Sequence, residues 1–262
     1  MNILEELAQS ARRRVAEKEK QLSLVEIRSN ALSLPVSQFV FETSIQGPGL
    51  SFICDIMSAG TEASAYKETA LAFEKAGADG ISILVEPDSR PLQPDYLKNV
   101  SKAVSIPCLF KDFIVDEYQI FEARLLGASA VRLISSILTP GQLANAIALC
   151  DCLGISALVE VHDQEELEKA LNAEARIIAT SDAALKPLMP EGVLFVFEGS
   201  IRTLLEAQKI SALGANAVLT GGVSAEKTEL IIRSLTLQES GSEAKDRHRM
   251  ETKESAASSS ST

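Results

Sequence analysis

The sequence predicts an α/β protein in which eight parallel strands and their connecting helices close into a barrel, a (β/α)8 architecture. Short apolar runs recur eight times, each apolar on both faces, as in parallel strands that are covered on both sides. Stretches of helical periodicity separate most of these runs, and no GxGxxG motif follows the first one, which disfavours an open dinucleotide-binding sheet. The predicted strands are residues 51–57, 80–85, 107–110, 130–134, 156–160, 176–180, 193–197 and 216–220.

Residues 1–45 precede this alternation and predict an N-terminal helical extension that packs against the barrel of residues 46–237. Apolar residues recur near the helical period over residues 2–20, with Arg and Glu between them. A second short segment runs from Val36 to Glu42 and follows Pro35. The apolar positions of the first helix are Ile3, Leu4, Leu7, Ala11 and Val15.

Within the barrel, Gly-Ala pairs mark the ends of three predicted helices, where a left-handed residue is common. These pairs begin at Gly77, Gly127 and Gly214, and the predicted N-caps are Asp163 and Ser224. The predicted helices are residues 66–76, 117–126, 140–153, 163–172, 201–213 and 225–235.

The sixth βα unit is shorter than the others. Only 12 residues separate its strand from the next one, and they include Pro187 and Pro190. Proline removes a helical hydrogen bond and clashes with the preceding turn, so we expect no ordinary helix there. Beyond the barrel, residues 238–262 are rich in Ser, Glu, Lys and Ala and predict a disordered polar tail.

The composition excludes several classes of function. The net charge of −11 repels phosphate backbones, so we expect no nucleic-acid partner. The sequence has neither an apolar leader nor an apolar run long enough to cross a bilayer, which predicts no membrane association and a cytoplasmic protein. The four cysteines and two histidines lack metal-ligand spacing, so no metal site is expected. The oligomeric state stays open.

Charged residues follow several predicted strands at the end where barrel enzymes carry their chemistry. Lys111 ends the third strand and Glu160 ends the fifth. A lysine in a barrel mouth acts as a general acid or binds an anion, and a facing carboxylate can take the proton back. The strand-end candidates are Asp55, Met57, Glu86, Lys111, Arg132, Glu160, Ser181, Glu198 and the pair Gly221-Gly222.

Arg132 interrupts the apolar fourth strand and needs an acidic partner if it is buried. Asp55, Glu160 or Glu198 could be that partner. An ion pair inside the barrel and a contact with substrate therefore stay open for Arg132.

His162 follows Glu160 by two residues, so both side chains could face the same side if the strand continued. The alternative is that His162 lies in the loop and helps to start the helix at Asp163. Both interpretations stay open.

Two small-residue turns follow the last two strands and suggest a phosphate site. Gly221-Gly222 ends the eighth strand and leads into the helix that begins near Ser224, and Gly199-Ser200 follows the seventh strand. Backbone N–H groups at such turns can bind a phosphate, and barrels often use these two loops for it.

Four stretches of this chain resemble the indole-3-glycerol-phosphate synthase family of tryptophan biosynthesis. The resemblance runs from about Ile3 to Leu235, and its most specific part is the run from Lys-Asp-Phe to Gln-Ile. It implies a TIM barrel. The matching stretches are Phe52–Asp55, Ala76–Leu84, Lys111–Ile120 and Leu158–His162.

The resemblance also implies an activity and roles for particular residues. The family closes the ring of a carboxyphenylamino-deoxyribulose phosphate with loss of carbon dioxide and water, and it uses no metal or organic cofactor. The implied partner is thus a small phosphorylated aromatic substrate. Lys111 would be the general acid at the substrate carbonyl, and Glu160 would act in the dehydration. Asp55 stands where the family has Glu, and Glu198 matches a Glu of the substrate pocket.

The substrate's aromatic ring needs an apolar slot beside Lys111. Phe110 and Met57 could form that slot, whereas an ion pair between Arg132 and Glu160 would fill it. Arg132 itself stands where the family has an apolar residue.

Several positions on the catalytic face depart from the family pattern. The family's second catalytic lysine and its Ser-Pro-Ser loop are replaced by Met57 and the Gly-Thr-Glu run of residues 60–62. The Asn-Asn-Arg that follows the sixth strand is replaced by Ser-Asp-Ala at residues 181–183, and the loop after the second strand reads Arg-Pro-Leu-Gln at residues 90–93.

Three hypotheses follow from the sequence. The first is an indole-3-glycerol-phosphate synthase with full or reduced activity. The second is a barrel without catalytic activity that binds a small phosphorylated ligand or a partner from the same pathway. The third is a different barrel enzyme that uses Asp55, Arg132 and Lys111 on another substrate, because one barrel fold hosts many chemistries.

Overall fold

Eight parallel strands form a closed barrel in chain order, and the last strand pairs with the first. The computed structural model describes residues 3–56, 63–85 and 95–237. All eight predicted strands are confirmed, with ends that differ by at most one residue. The strands are β1 (Ser51–Ile56), β2 (Gly80–Leu84), β3 (Cys108–Lys111), β4 (Ala130–Ile134), β5 (Ser156–Glu160), β6 (Ile177–Thr180), β7 (Leu194–Glu198) and β8 (Ala217–Gly221).

The N-terminal extension consists of α1 (Ile3–Glu19), α2 (Leu24–Leu32) and α3 (Val40–Ser44). Helix α1 is confirmed, whereas α2 was not predicted. Its sequence signal is a capping box, in which the Ser23 hydroxyl accepts from the N–H of Glu26 and the Glu26 carboxylate accepts from the N–H of Ser23.

Seven helices surround the barrel in the described part of the chain. The predicted N-caps are confirmed, since Asp163 accepts from the N–H of Glu166 and Ser224 accepts from that of Lys227. The three glycines predicted to end helices all have positive φ, as in Gly77, whose φ is 91°. The helices are α4 (Ala63–Lys75), α5 (Asp95–Ser101), α6 (Glu117–Leu125), α7 (Pro140–Leu153), α8 (Gln164–Asn172), α9 (Leu204–Ala212) and α10 (225–237).

A short 3₁₀ helix, Ala183–Leu188, replaces an ordinary helix in the sixth unit and contains Pro187. The shortened unit predicted from the two prolines is therefore confirmed. Within the described residues, no helix is both long enough and apolar enough to cross a membrane.

Side chains alternate between two layers along each strand. On β3, Leu109 belongs to the cluster inside the barrel, whereas Phe110 belongs to the cluster between the strands and the outer helices. Phe110 is 0% exposed, and Lys111 points the opposite way into the barrel mouth. The prediction that Phe110 lines a substrate slot beside Lys111 is therefore wrong, because neighbouring residues of a strand face opposite sides.

Some of the sequence predictions concern segments outside the described residues. These segments are residues 57–62, which contain Met57, and residues 86–94, which contain Glu86 and the loop 90–93. The predicted disordered tail, residues 238–262, also lies outside them.

Candidate active site

Charged side chains extend the inward-facing rows of five strands at the carboxyl end of the barrel. Asp55 follows Ile53 on the inner face of β1, and Glu160 follows Leu158 on that of β5. On these strands the inward-facing side chains therefore change from aliphatic to charged between one inward position and the next, two residues later. Within the described ranges, these charged residues are Asp55, Lys111, Arg132, Glu160 and Glu198.

Lys111 lies between two carboxylates in this mouth. Its Nζ is 3.2 Å from Oδ2 of Asp55 and 3.5 Å from Oε1 of Glu198. Lys111 is only 7% exposed, so its ammonium group has little water around it. The two ion pairs compensate its burial and hold Nζ in one position.

The segment that follows Lys111 is fixed by a buried polar network. Oδ1 of Asp112 accepts from the N–H of Phe113 and from Nη2 of Arg14 in α1, at 2.8 and 2.9 Å. The Gln119 side chain donates to Oδ2 of Asp112 and to the carbonyl of Phe113, and it accepts from the N–H of Val115. The N-terminal extension thus contacts the loop that follows the site lysine.

Arg132 pairs with Glu160 across the two neighbouring strands β4 and β5. Nη1 of Arg132 lies 3.0 Å from Oε2 of Glu160, and the guanidinium carbon lies 6.0 Å from the centre of the Phe113 ring. Of the three carboxylates that the sequence left as possible partners of Arg132, Glu160 is the one it contacts. Arg132 is 8% exposed, and its Nε has no hydrogen-bond partner among the described residues.

His162 lies in the loop between β5 and α8, as the second sequence interpretation had it, because β5 ends at Glu160. Its ring nevertheless contacts the second oxygen of Glu160. Its Nε2 lies 3.1 Å from Oε1 of Glu160, and its Nδ1 lies 3.1 Å from Oε2 of Glu166. Its N–H also donates to Oε2 of Glu166 at 2.9 Å, at the start of α8. His162 was not among the strand-end candidates, although its spacing from Glu160 gave the signal.

The pKa of His162 is raised above its ordinary value. Burial alone lowers it, but the hydrogen bond to Glu166 and the negative charges of Glu160, Glu166 and Glu198 outweigh burial. The protonated imidazole is therefore favoured at this edge of the site.

The buried side-chain atoms that lack a partner in the described chain all lie on inward-facing positions of the barrel. They are Oδ1 of Asp55, Oγ of Ser82 and Nε of Arg132. Buried polar atoms are normally paired, and unpaired ones often mark functional sites. Ser82 was not predicted, although it pairs in register with Asp55 and so continues the inner face onto β2.

The small-residue turns differ from what the sequence predicted. The N–H of Gly199 already donates to the carbonyl of Leu219 at 3.0 Å, so this group is not available to a phosphate. The Ser200 hydroxyl donates to the carbonyl of Gly221 at 2.9 Å. Gly222 has φ of 72°, and a Cβ there would meet no atom of the described residues within 4 Å.

Ser181 lies at the rim, after β6, and is exposed. The next residue, Asp182, donates its N–H to Thr180 and caps the short 3₁₀ helix. No group of three or more His, Cys, Asp or Glu in the described ranges is arranged to hold a metal ion.

Comparison with known proteins identifies the family. The sequence profile of indole-3-glycerol phosphate synthase matches residues 4–235. This chain belongs to the indole-3-glycerol phosphate synthase family. The enzyme of that name from Ruminiclostridium cellulolyticum is 38% identical over 239 residues, which cover 84% of this chain and 92% of that protein. The one from Lachnoclostridium phytofermentans is 35% identical over 266 residues, covering 89% and 98%.

Solved structures with the same fold are more distant in sequence than these family members. An N-acetylmannosamine-6-phosphate 2-epimerase from Clostridium perfringens superposes with a TM-score of 0.54 at 14% identity, covering 71% of this chain and 93% of that one. The KGPDC structure from Streptococcus mutans gives 0.58 at 12% identity, covering 71% and 98%. These structures support the barrel fold alone.

Proposed function

We propose that this member of the family is an indole-3-glycerol phosphate synthase of tryptophan biosynthesis. It closes the ring of a carboxyphenylamino-deoxyribulose phosphate with loss of carbon dioxide and water. The observation that carries the proposal is the position of Lys111 between Asp55 and Glu198, in the same barrel mouth as Glu160. The reaction needs a proton donor at a carbonyl and a second acid or base for dehydration, and these residues supply both.

Lys111 is the general acid at the substrate carbonyl. Its ammonium group ends β3 inside the barrel, where little water competes for it. Asp55 and Glu198 hold Nζ in place, so little reorganisation is needed when the carbonyl oxygen takes the proton. A positioned acid of this kind accelerates a reaction by about 10²–10⁴-fold. Asp55 therefore contributes by positioning Lys111, and its unpaired Oδ1 is an acceptor for a substrate hydroxyl.

Glu160 acts in the dehydration. Arg132 holds one of its oxygens and His162 holds the other, at 3.0 and 3.1 Å. A carboxyl group fixed at both oxygens presents a constant geometry to the hydroxyl that leaves and to the carbon that loses a proton.

Three side chains contact the rest of the substrate. The unpartnered Nε of Arg132 is a buried donor for a substrate oxygen, and a guanidinium group binds oxygen acids well. Glu198, the last residue of β7, and Ser181, which follows β6, lie toward the rim within reach of polar substrate groups. Phe110 has no part in this contact, because it lies in the outer layer.

The phosphate binds at the turn after β8. Gly221 and Gly222 lead directly to Ser224 and the first turn of α10, where N–H groups and the helix dipole favour an anion. No described residue lies within 4 Å of a Cβ at Gly222, so the described part of the chain leaves the backbone there open to a ligand. Ser200 steadies this turn through its bond to the Gly221 carbonyl.

The direct test is turnover of the carboxyphenylamino-deoxyribulose phosphate, followed by the fluorescence of the indole product. Lys111→Ala is expected to lower kcat by at least about 10²-fold because it removes the general acid. Lys102→Ala, at an exposed lysine of the outer surface, is the matched control and should keep full activity. No turnover by the wild-type protein above the Lys111→Ala background would contradict the proposal.

One observation favours a second candidate, a barrel without catalytic activity that binds a small phosphorylated ligand or a pathway partner. Arg132 and Glu160 neutralise each other inside the mouth, where the substrate ring would need apolar space. Calorimetric titration with the substrate separates the candidates, because binding without turnover is expected only of the second.

A further inference from the structure

A chain of polar contacts leads from the buried site to the surface at the end of β5. Arg132 contacts one oxygen of Glu160, and His162 contacts the other. The Glu160 side chain is 13% exposed, whereas that of His162 is 48% exposed. His162 therefore touches a buried acid with one ring nitrogen while its ring reaches solvent.

The proposed reaction takes up one proton per turnover. The substrate carboxylate is ionised at neutral pH and leaves as neutral carbon dioxide, and the hydroxyl leaves as neutral water. A carbon–carbon bond forms between the ring carbon that bears the carboxylate and the carbonyl carbon, whose oxygen takes a proton from Lys111. The bond to the carboxylate then breaks, and its electron pair restores the aromatic ring.

The loss of water uses a second proton. The acid form of Glu160 gives its proton to the hydroxyl as the carbon–oxygen bond breaks. The neighbouring carbon loses a proton, and that C–H electron pair completes the double bond of the new ring. This released proton restores one of the two acids, so the other must be restored from solvent.

We propose that His162 carries this solvent proton to Glu160. Nε2 of the protonated imidazole gives its proton to Oε1 of Glu160, and the ring then takes another from water. The inference rests on the proposed function and adds to it the route by which its second acid is restored. His162 does not touch the reacting atoms in this scheme and acts through Glu160.

The charges around His162 suit this role. The carboxylates that act on it are Glu160 at the end of β5, Glu166 in α8 and Glu198 at the end of β7. Burial lowers the pKa of His162, and these groups together raise it above the ordinary value. The protonated form thus persists to higher pH than for a free histidine, while the exposed ring can still exchange its proton.

The test compares pH profiles of kcat for the wild type and His162→Gln. Glutamine can keep a contact with Glu160 but cannot titrate. We expect kcat to fall by on the order of tenfold, with KM within about twofold and the alkaline limb of the profile lost. Added imidazole should restore part of the rate, which a merely structural role of His162 would not predict. Unchanged kcat and pH profile in His162→Gln would overturn the relay.

Glu166→Gln is the second variant because it leaves both His162 and Glu160 in place. It removes a charge that raises the pKa of His162, so the alkaline limb should move to lower pH. NMR titration of the imidazole should show the pKa of His162 falling in Glu166→Gln and in Glu160→Gln. A pKa of His162 that does not change in Glu160→Gln would contradict the relay at any level of activity.

The outcomes separate the relay from the function on which it rests. If the wild-type protein shows no turnover, the proposed function fails and the relay fails with it. If the wild type is active, Lys111→Ala is inactive and His162→Gln matches the wild type, only the relay is overturned.

Discussion

The two ends of the barrel are built from the same alternating strands but differ in chemistry. At the end where the strands begin, Phe41 of α3 and Ile45, which directly follows this helix, close the interior, and both are 0% exposed. The N–H of Glu42 in α3 donates to the hydroxyl of Ser156 at the start of β5, which fixes the helix at that end. At the other end, the inward positions carry five charged side chains held by ion pairs.

This difference shows how one fold separates stability from reactivity. An apolar side chain gains from burial in almost any orientation that packs well. A buried charge is tolerated only with partners at suitable distances, and such partners also fix the geometry that catalysis requires. We therefore expect mutations at the closed end to affect stability and mutations at the mouth to affect activity.

The largest effect on activity is expected for Glu160→Gln. The amide keeps the shape of the side chain but cannot serve as the acid or base of the dehydration, so kcat should fall by about 10²–10⁴-fold. Glu165→Gln, at an exposed position in the first turn of α8, is the matched control and should keep full activity. Steady-state turnover measures both variants, and equal rates would remove Glu160 from the mechanism.

The largest effect on stability is expected for Phe41→Ala at the closed end. Removing a buried aromatic side chain should lower the free energy of unfolding by about 3–5 kcal/mol. The control is Val40→Ala, at a neighbouring residue that is 45% exposed and should cost much less. Urea denaturation gives both values. Loss of kcat per folded molecule in Phe41→Ala would contradict the separation of the two ends.

Arg132→Met should affect both properties to a smaller extent. It leaves Glu160 without its main cation, so we expect a loss of about 1–3 kcal/mol in stability and a lower kcat. Arg233→Met breaks an ion pair whose arginine side chain is 74% exposed, and it should change stability by less than about 0.5 kcal/mol. Thermal denaturation measures both variants. An equal drop in Tm for Arg132→Met and Arg233→Met would show that the Arg132 pair is no stronger than a surface pair.

The smallest effect is a pH dependence of stability that arises from His162. A pKa that is raised in the folded protein stabilises it fully below the unfolded value of about 6.5. This contribution is lost as pH rises through the folded pKa, so stability should decline slightly above pH 6.5. Because His162 is half exposed, solvent reduces the effect to a fraction of 1 kcal/mol. Chemical denaturation at a series of pH values gives the free energy of unfolding as a function of pH. Its decline above pH 6.5 should be smaller in His162→Gln than in the wild type, and an equal decline in both would contradict this assignment.

Local patterns in the sequence were sufficient for the architecture. The sequence signals of the eight strands, the Gly-Ala helix ends and the short sixth unit each lie within a few neighbouring residues. The capping box of Ser23 and Glu26 shows that even α2 was predictable from such a pattern. The inward position of Lys111 also fixed the outward position of Phe110, because neighbouring strand residues face opposite sides.

The pairing inside the mouth depended on the tertiary structure. The sequence left three carboxylates as possible partners of Arg132, and only the closed barrel brings Glu160, 28 residues later, to 3.0 Å. The N–H of Gly199 was expected to be available, but β8 provides a carbonyl that accepts its bond. Sequence by itself thus determined the elements and which residues of a strand share a face, because alternation and helix caps are local properties. The partner of each charge was decided only by the fold, since ion-pair and hydrogen-bond energies depend on distances between strands that are far apart in the chain.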